Sequence, residues 1–345
     1  MTRAAAFTAE LVRTSSRGLA GLASALFYER ASDAIEQYGD EGFETWRKTM
    51  EARLQALASA LESGDEAIFT EDVHWFQGVA VTRGIPKSDI LLAIDCLGET
   101  VRSQLPDETG HAVAPYITAA TQQLDTATEM PPEFEAGSDA AELFELALLG
   151  DLGGSRHFLV DGIKAGRFTV HAAVCDMILP AAREAGRRWH LGRMGIAAEH
   201  VITSTLRSAL HSLTAVLPRP TPNGKAAFIA AVPGDAHDTG LVAFALLLEN
   251  DGWRVALAGA DTPTEEIDVT AGGYECDLIA LSATLPSQRY ALSAYLSTRT
   301  SDIPVLAGGS AVRSEEDARS LGAHGFAKNL PEGVRAARRL VQLEG

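Results

Sequence analysis

From Ala226 onward, apolar runs of strand length alternate five times with helical stretches: AAFIAAV at 226, VALAG at 255, LIALSA at 278, PVLAGG at 304 and GFAKN at 325. Parallel strands need long crossover connections, and helices supply them, so this alternation predicts a parallel sheet covered by helices on both faces. The expected strand order is the flavodoxin-like 2-1-3-4-5.

Upstream the periodicity is different. Residues 1–128 carry apolar positions at three- and four-residue spacing with few β-branched runs, which predicts an all-α N-terminal domain. After Met130-Pro131-Pro132, four more helical segments are expected, at Glu142–Leu149, Arg156–Ala165, Val170–Glu184 and Ala197–Val216, forming a helical bundle over 138–217. Pro218, Pro220, Pro222, Asn223 and Gly224 read as a linker by their turn chemistry, leaving 225–345 for the sheet domain. The fold class is therefore multidomain α plus α/β, with an all-α domain, a four-helix-bundle cap and a five-stranded doubly wound domain.

A net charge of −17 opposes binding to a phosphate backbone, so direct nucleic-acid contact is not expected. The longest apolar stretches fall well short of the roughly 20 residues needed to span a bilayer. The segment MTRAAAFTAELVRTSSRG lacks a signal-peptide pattern, so a cytoplasmic location is expected. Cys96, Cys175 and Cys276 are far apart and without a CxxC partner, as buried thiols would be.

In a doubly wound sheet, ligands bind beyond the carboxyl ends of the strands, near the switch between strands 1 and 3. Strand 1 runs there into Pro233-Gly234-Asp235-Ala236-His237-Asp238-Thr239-Gly240, strand 3 ends at Ser282-Ala283-Thr284, and strand 4 ends at Gly308-Gly309. A loop histidine can offer one ring nitrogen to a metal while a nearby carboxylate, here Asp235, takes the other ring N–H and fixes the tautomer. Glycines at a strand end admit something bulky against the backbone. Taken alone, such a histidine more often hydrogen-bonds within a polar loop, and Asp235 with Asp238 could hold Mg²⁺ as doubly wound receivers do, although the acidic pair of those receivers is missing.

Asp235-x-His237-x-x-Gly240, with Ser282, Thr284 and Gly308-Gly309 downstream, resembles the cobalamin-binding fold. That resemblance implies that His237 replaces the dimethylbenzimidazole as the lower ligand of cobalt, with the displaced nucleotide tail passing the serine and glycines into the sheet.

The bundle carries Trp189-His190-Leu191-Gly192-Arg193-Met194-Gly195-Ile196-Ala197-Ala198-Glu199-His200, where two glycines break one helix before the next begins. An indole offers an apolar lid, and a carboxylate can accept two hydrogen bonds from a diol; alone, Trp189 reads as a core anchor and Glu199-His200 as a solvated helix start. Trp189, nine residues and then Glu199-His200, preceded by Leu179-Pro180-Ala181, is similar to the CarH-type cobalamin photoreceptors over about residues 138–343. The resemblance implies adenosylcobalamin as cofactor, Trp189 and Glu199 capping its adenosyl group, His200 supporting them, and His190 as the upper cobalt ligand after photolysis.

Residues 1–128 lack the hairpin and basic recognition helix of a winged-helix DNA reader. In that respect the chain looks more like the photocobilins, which imply a bilin such as biliverdin held noncovalently. Asp72, His74, Trp75, Phe76 and Arg83 could supply its apolar slot, imidazole and cations, but Trp75 and Phe76 suit a helical core equally well. The expected function is a non-enzymatic photosensory protein that responds by conformational or oligomeric change, as a homo-oligomer or a light-dependent one, signalling to a downstream protein the sequence does not identify. The competing reading is a corrinoid carrier that presents methylcobalamin to a methyltransferase. A cobalamin-dependent mutase subunit ranks lowest, because no barrel for its substrate is present.

Overall fold

The apolar runs of the C-terminal half all become strands: β1 Ala226–Ala231, β2 Arg254–Gly259, β3 Leu278–Ser282, β4 Val305–Gly308 and β5 Gly325–Ala327. They pair in parallel in the order β2-β1-β3-β4-β5, the order expected from sequence. The computed structural model describes residues 3–31, 33–39, 41–124, 130–216 and 220–343; Pro218 of the expected linker and the domain ends at 128, 217 and 345 lie outside the described residues.

The chain divides into two units, 1–129 with 190–192 and 130–189 with 193–345. The first holds α1 Arg3–Arg30, α2 Ala34–Tyr38, α3 Gly42–Ser63, α4 Ala67–Val81, α5 Lys87–Gln104 and α6 Asp107–Gln123. Helix α1 packs on α3 and α5, and α4 packs on α3 and α6, around Phe27, Met50, Leu54, Leu57, Phe69, Ile90, Ile94 and Leu97. Phe27 and Trp46 touch with centroids 4.5 Å apart. Large side chains buried this fully contribute about 1.5–3 kcal/mol each through removal of apolar surface from water.

The second unit begins with α7 Asp139–Leu148, α8 Leu152–Lys164, α9 Val170–Ala172, a π-helical turn at Ala173–Ile178, α10 Leu179–His190 and α11 Ile196–Val216. The expected helix over Val170–Glu184 is thus interrupted by a wider turn. Pro180 accounts for it: in a regular helix its ring would meet the carbonyl of Asp176 and its missing N–H would leave that carbonyl unpaired, and a π turn relieves both. Ser138, Asp151 and Thr169 cap the starts of α7, α8 and α9 through their side-chain oxygens. On α10 the buried Glu184 accepts two hydrogen bonds from Arg187, at 2.6 and 2.7 Å, one from Arg188 at 2.8 Å and one from the Glu133 backbone N–H at 3.3 Å. This fastens the stretch entering the bundle to its third helix.

Then follow α12 Thr239–Asn250, α13 Thr264–Gly273, α14 Arg289–Thr298 after a 3₁₀ turn at Pro286–Gln288, α15 Glu315–Leu321 and α16 Leu330–Leu340. Alternate residues of each strand face opposite layers. Ala227, Ile229, Leu278, Ala280 and Leu306 meet α12 and α16, whereas Phe228, Ala230, Ile279, Leu281 and Val305 meet α13, α14 and α15. The bundle core of Phe144, Leu159, Ile178, Leu206 and Leu210 continues into Val242, Leu246 and Leu247 of α12, so α11 rests on the first helix of the sheet domain. No helix among the described residues is long and apolar enough to cross a membrane.

Candidate cofactor site

Register alone brings three loops together. Ala231 pairs with Ser282 and Ser282 with Gly308, so the loops leaving β1, β3 and β4 emerge side by side. Gly234, with φ of +79°, turns the chain after β1 and aims Asp235 inward, where its side chain is fully buried.

A buried carboxylate must have its lone pairs filled, and that of Asp235 is. Oδ1 accepts the backbone N–H of His237 at 3.0 Å and lies 2.8 Å from its ring Nδ1. Oδ2 accepts the backbone N–H of Thr284 at 2.9 Å. Burial pushes the Asp235 carboxyl up, but the bonds from the His237 ring and backbone and from Thr284 outweigh it, so its pKa lies below the ordinary 3.8. The partner shift agrees: the hydrogen bond to Asp235 raises His237 above 6.5 against burial, with the charges of Asp235, Glu199 and Asp238 adding to it. An ionised carboxylate only accepts, so Nδ1 carries the proton in the neutral ring and Nε2 keeps its lone pair. The imidazole itself is largely exposed. This is the donor arrangement a lower cobalt ligand needs: one nitrogen oriented by a buried acid, the other presented outward.

The two glycines differ. Gly309 has φ of +89°, and a Cβ there would collide with the Ala283 carbonyl oxygen and the Ser282 hydroxyl, so the fold itself demands glycine. Gly308 and Gly240 have room: a Cβ at Gly308 would make only ordinary contacts, and one at Gly240, in the first turn of α12, would meet nothing. Asp238, just before α12, receives both its oxygens' hydrogen bonds from Arg207 Nη1 at 2.9 Å, tying α11 to the histidine loop.

Glu199 lies in the first turn of α11, half-buried, with the exposed His200 ring 3.6 Å from its carboxylate. The structure thus places Glu199, Asp238 and His237 in one electrostatic neighbourhood. Trp189 is half-buried near the end of α10. His190 groups instead with the first unit: its ring lies 5.5 Å from that of Trp75, and Thr82 Oγ1 donates to its carbonyl at 3.1 Å. Its Nδ1 is buried without a hydrogen-bond partner among the described residues, and burial, then the charge of Arg83, lowers its pKa.

The bilin candidates are spread along α4 and its end. Asp72 is buried in an ion pair with Arg53, whose guanidinium lies 4.9 Å from the Phe76 ring centroid. Trp75 is 43% exposed, and Arg83 donates to the Val79 carbonyl at 2.8 Å. His74 is half-buried on the same helix. A cleft of about 690 Å³ lined by Thr214, Pro220, Trp253 and Arg254 opens where β2 begins, at the end of the sheet opposite the His237 loop.

Sequence reasoning missed Gln288 and Arg289, both buried at the start of α14. Gln288 Oε1 accepts the N–H groups of Thr284 and Leu285 at 3.0 and 2.7 Å, and its Nε2 donates to the Gly234 carbonyl at 2.9 Å. Arg289 donates to the Ala311 carbonyl at 2.8 Å and is ion-paired with Asp317. A Pro-Ser-Gln-Arg stretch after a strand carries no sequence signal for such a role, because glutamine and arginine at a helix start ordinarily face solvent.

Residues 226–334 match the B12 binding domain family. The chain is 33% identical over 167 residues to the HTH-type transcriptional repressor CarA of Myxococcus xanthus, covering 47% of this chain and 56% of the relative. It is 29% identical over 152 residues to the HTH-type transcriptional repressor CarH of the same organism, covering 41% and 48%. The chain therefore spans about half the length of the curated relatives it matches. In fold it resembles the monomethylamine corrinoid protein of Methanosarcina barkeri, with a TM-score of 0.50, 16% identity, and coverage of 59% of this chain and 98% of that one. The match to the B12 binding domain over residues 226–334 supports cobalamin binding there, and His237 and Asp235 sit on the first loop of that region.

Proposed function

We propose that this protein senses light through adenosylcobalamin, with His237 as the lower cobalt ligand. The observation that carries the reading is the commitment of His237 Nδ1 to the buried Asp235, which leaves Nε2 to the metal. Ser282, Thr284, Gly308 and Gly309 would receive the displaced nucleotide, with Asp238 and Gly240 beside it. Adenosylcobalamin supplies a cobalt–carbon bond that light can break. Trp189 and Glu199 would hold the adenosyl group, with His200 beside Glu199, and His190 would be the ligand offered to cobalt after photolysis. Sequence similarity to CarA and CarH supports the regulatory side of the reading.

The response passes through a conformational or oligomeric change to a partner rather than through direct contact with nucleic acid, a reading supported by the net charge of −17. Arg207 and Asp238 give the cap helix a direct tie to the histidine loop through which such a change travels. Biliverdin, held noncovalently near His74, Trp75 and Arg83, is the proposed second chromophore, and the cytoplasm the proposed location.

The test is to incubate the purified protein in darkness with adenosylcobalamin, with and without biliverdin, remove free ligand and record absorption before and after green light. A bound cobalamin spectrum that converts on illumination is expected, with a retained red band in the bilin sample. Cobalamin bound in darkness without photoconversion or preference for the adenosyl form would favour the methyl carrier instead.

A further inference from the structure

We infer that Gln288 is the positioning residue that keeps the His237–Asp235 pair in register with the loop after β3, an inference that rests on His237 being the lower ligand. The Asp235 carboxylate is held on one side by His237 of its own loop and on the other by the Thr284 N–H, while the Asp235 carbonyl accepts from the Asp261 N–H at 3.0 Å. The Thr284 N–H is shared with Gln288 Oε1, 3.0 Å away. The same amide spans the gap between the two loops, accepting from Leu285 on one and donating to the Gly234 carbonyl on the other. Its orientation is unambiguous, since the oxygen faces two N–H groups and the nitrogen faces a carbonyl.

The chemistry suits a neutral amide. A carboxylate at 288 would lose the donor to Gly234 and set a second negative charge against the Thr284 N–H that Asp235 uses; an apolar side chain would orphan the Leu285 N–H and the Gly234 carbonyl and leave the Thr284 N–H to Asp235 alone. Gly234 immediately precedes Asp235, so the Gln288 bond to its carbonyl fixes the backbone from which the acid projects. The adjacent Arg289 fastens the same helix start to Ala311 and Asp317 beyond β4. The Gln288-Arg289 pair therefore ties together the three loops that surround the ligand face. Second-layer partners of metal-bound histidines typically change affinity by about 10- to 100-fold when removed, and Gln288 acts one bond further out.

The test compares wild type, Gln288→Leu and Gln288→Glu. Each is loaded with hydroxocobalamin for an absorption spectrum and Kd, each is melted without ligand, and each is read without ligand by the ¹⁵N shifts of the His237 ring. Expected is a Kd raised about tenfold, a lower share of histidine-bound cobalamin, and loss of the Nδ1–H tautomer bias in both variants. If Gln288→Leu does not fold, Gln288→Glu, which keeps two of the three hydrogen bonds, decides. Folded variants with a lowered Tm but unchanged Kd, spectrum and ring shifts would reduce Gln288 to a stabilising residue and overturn the inference. Failure of wild type itself to show histidine-bound cobalamin would instead overturn the assignment of His237.

Discussion

Nδ1 of His237 lies 2.8 Å from Oδ1 of Asp235, and the same oxygen accepts the His237 backbone N–H at 3.0 Å, so one buried carboxylate sets both the ring and the main chain of the residue proposed to ligate cobalt. Asp235→Asn keeps the shape but removes the charge, and its amide end would turn an N–H toward a donor. Expected is a loss in cobalamin affinity of about 10- to 100-fold and a stability loss of roughly 1–3 kcal/mol for buried groups left poorly paired. Titration with hydroxocobalamin and a denaturant melt check the two halves separately.

The shared shifts of this pair predict a pH dependence with a definite sign. His237 titrates above 6.5 in the folded protein, and its ring must be unprotonated at Nε2 to ligate cobalt. The apparent affinity of His237 for cobalt is therefore expected to weaken as pH falls below that raised value, because the proton competes for Nε2, while His237→Ala shows no such dependence. For the apo protein the raised value contributes stability that is fully present below about 6.5, the unfolded value, and lost as pH rises through the folded one. The lowered Asp235 value works oppositely, its contribution being present above the ordinary 3.8 and lost as pH falls through the folded value.

Gly309 and Gly240 should separate structural from ligand-facing glycines. Gly309→Ala meets the Ala283 carbonyl in a left-handed conformation and should cost about 2–4 kcal/mol in the apo protein. Gly240→Ala has open space in a helical first turn, so apo stability should hold or rise by about 0.4–1 kcal/mol. If cobalamin lies against that turn, the same variant binds it more weakly. Equal affinity in Gly240→Ala and wild type would remove Gly240 from the site.

Glu184, held down to about 2 by Arg187 against the cost of burial, predicts acid sensitivity of the cap. A carboxyl with a depressed folded pKa contributes stability present above its ordinary value, 4.5, and lost as pH falls toward 2. Glu184→Gln removes the carboxylate that Arg187 and Arg188 share and should cost roughly 3 kcal/mol at neutral pH. The Tm gap between variant and wild type should narrow between about pH 4.5 and 2.

The strand order and the three converging loops were legible in the sequence because a parallel sheet writes itself as apolar runs at regular spacing, and its ligand face lies at a defined end. Asp235 could be paired with His237 from a spacing of two. The π turn before Pro180 was not legible, since the apolar pattern over Val170–Glu184 suits a regular helix equally well. Nor were the Arg207–Asp238 tie, the Glu184 network or the Gln288 bridge. The Arg207–Asp238 tie and the Gln288 bridge join different elements, the Glu184 network reaches Glu133 outside its own helix, and polar side chains carry no periodic signal saying which of them will be buried.

The most direct measurement of the central claim is the electron paramagnetic resonance spectrum of the bound cobalamin, reduced to its Co(II) form, in protein made with ¹⁴N- and with ¹⁵N-histidine. With His237 as the axial ligand, the three-line nitrogen splitting of the ¹⁴N sample becomes two lines in the ¹⁵N sample, and His237→Ala abolishes the change. Three-line splitting that persists in ¹⁵N-labelled protein would mean that cobalamin keeps its own base, and would contradict the account.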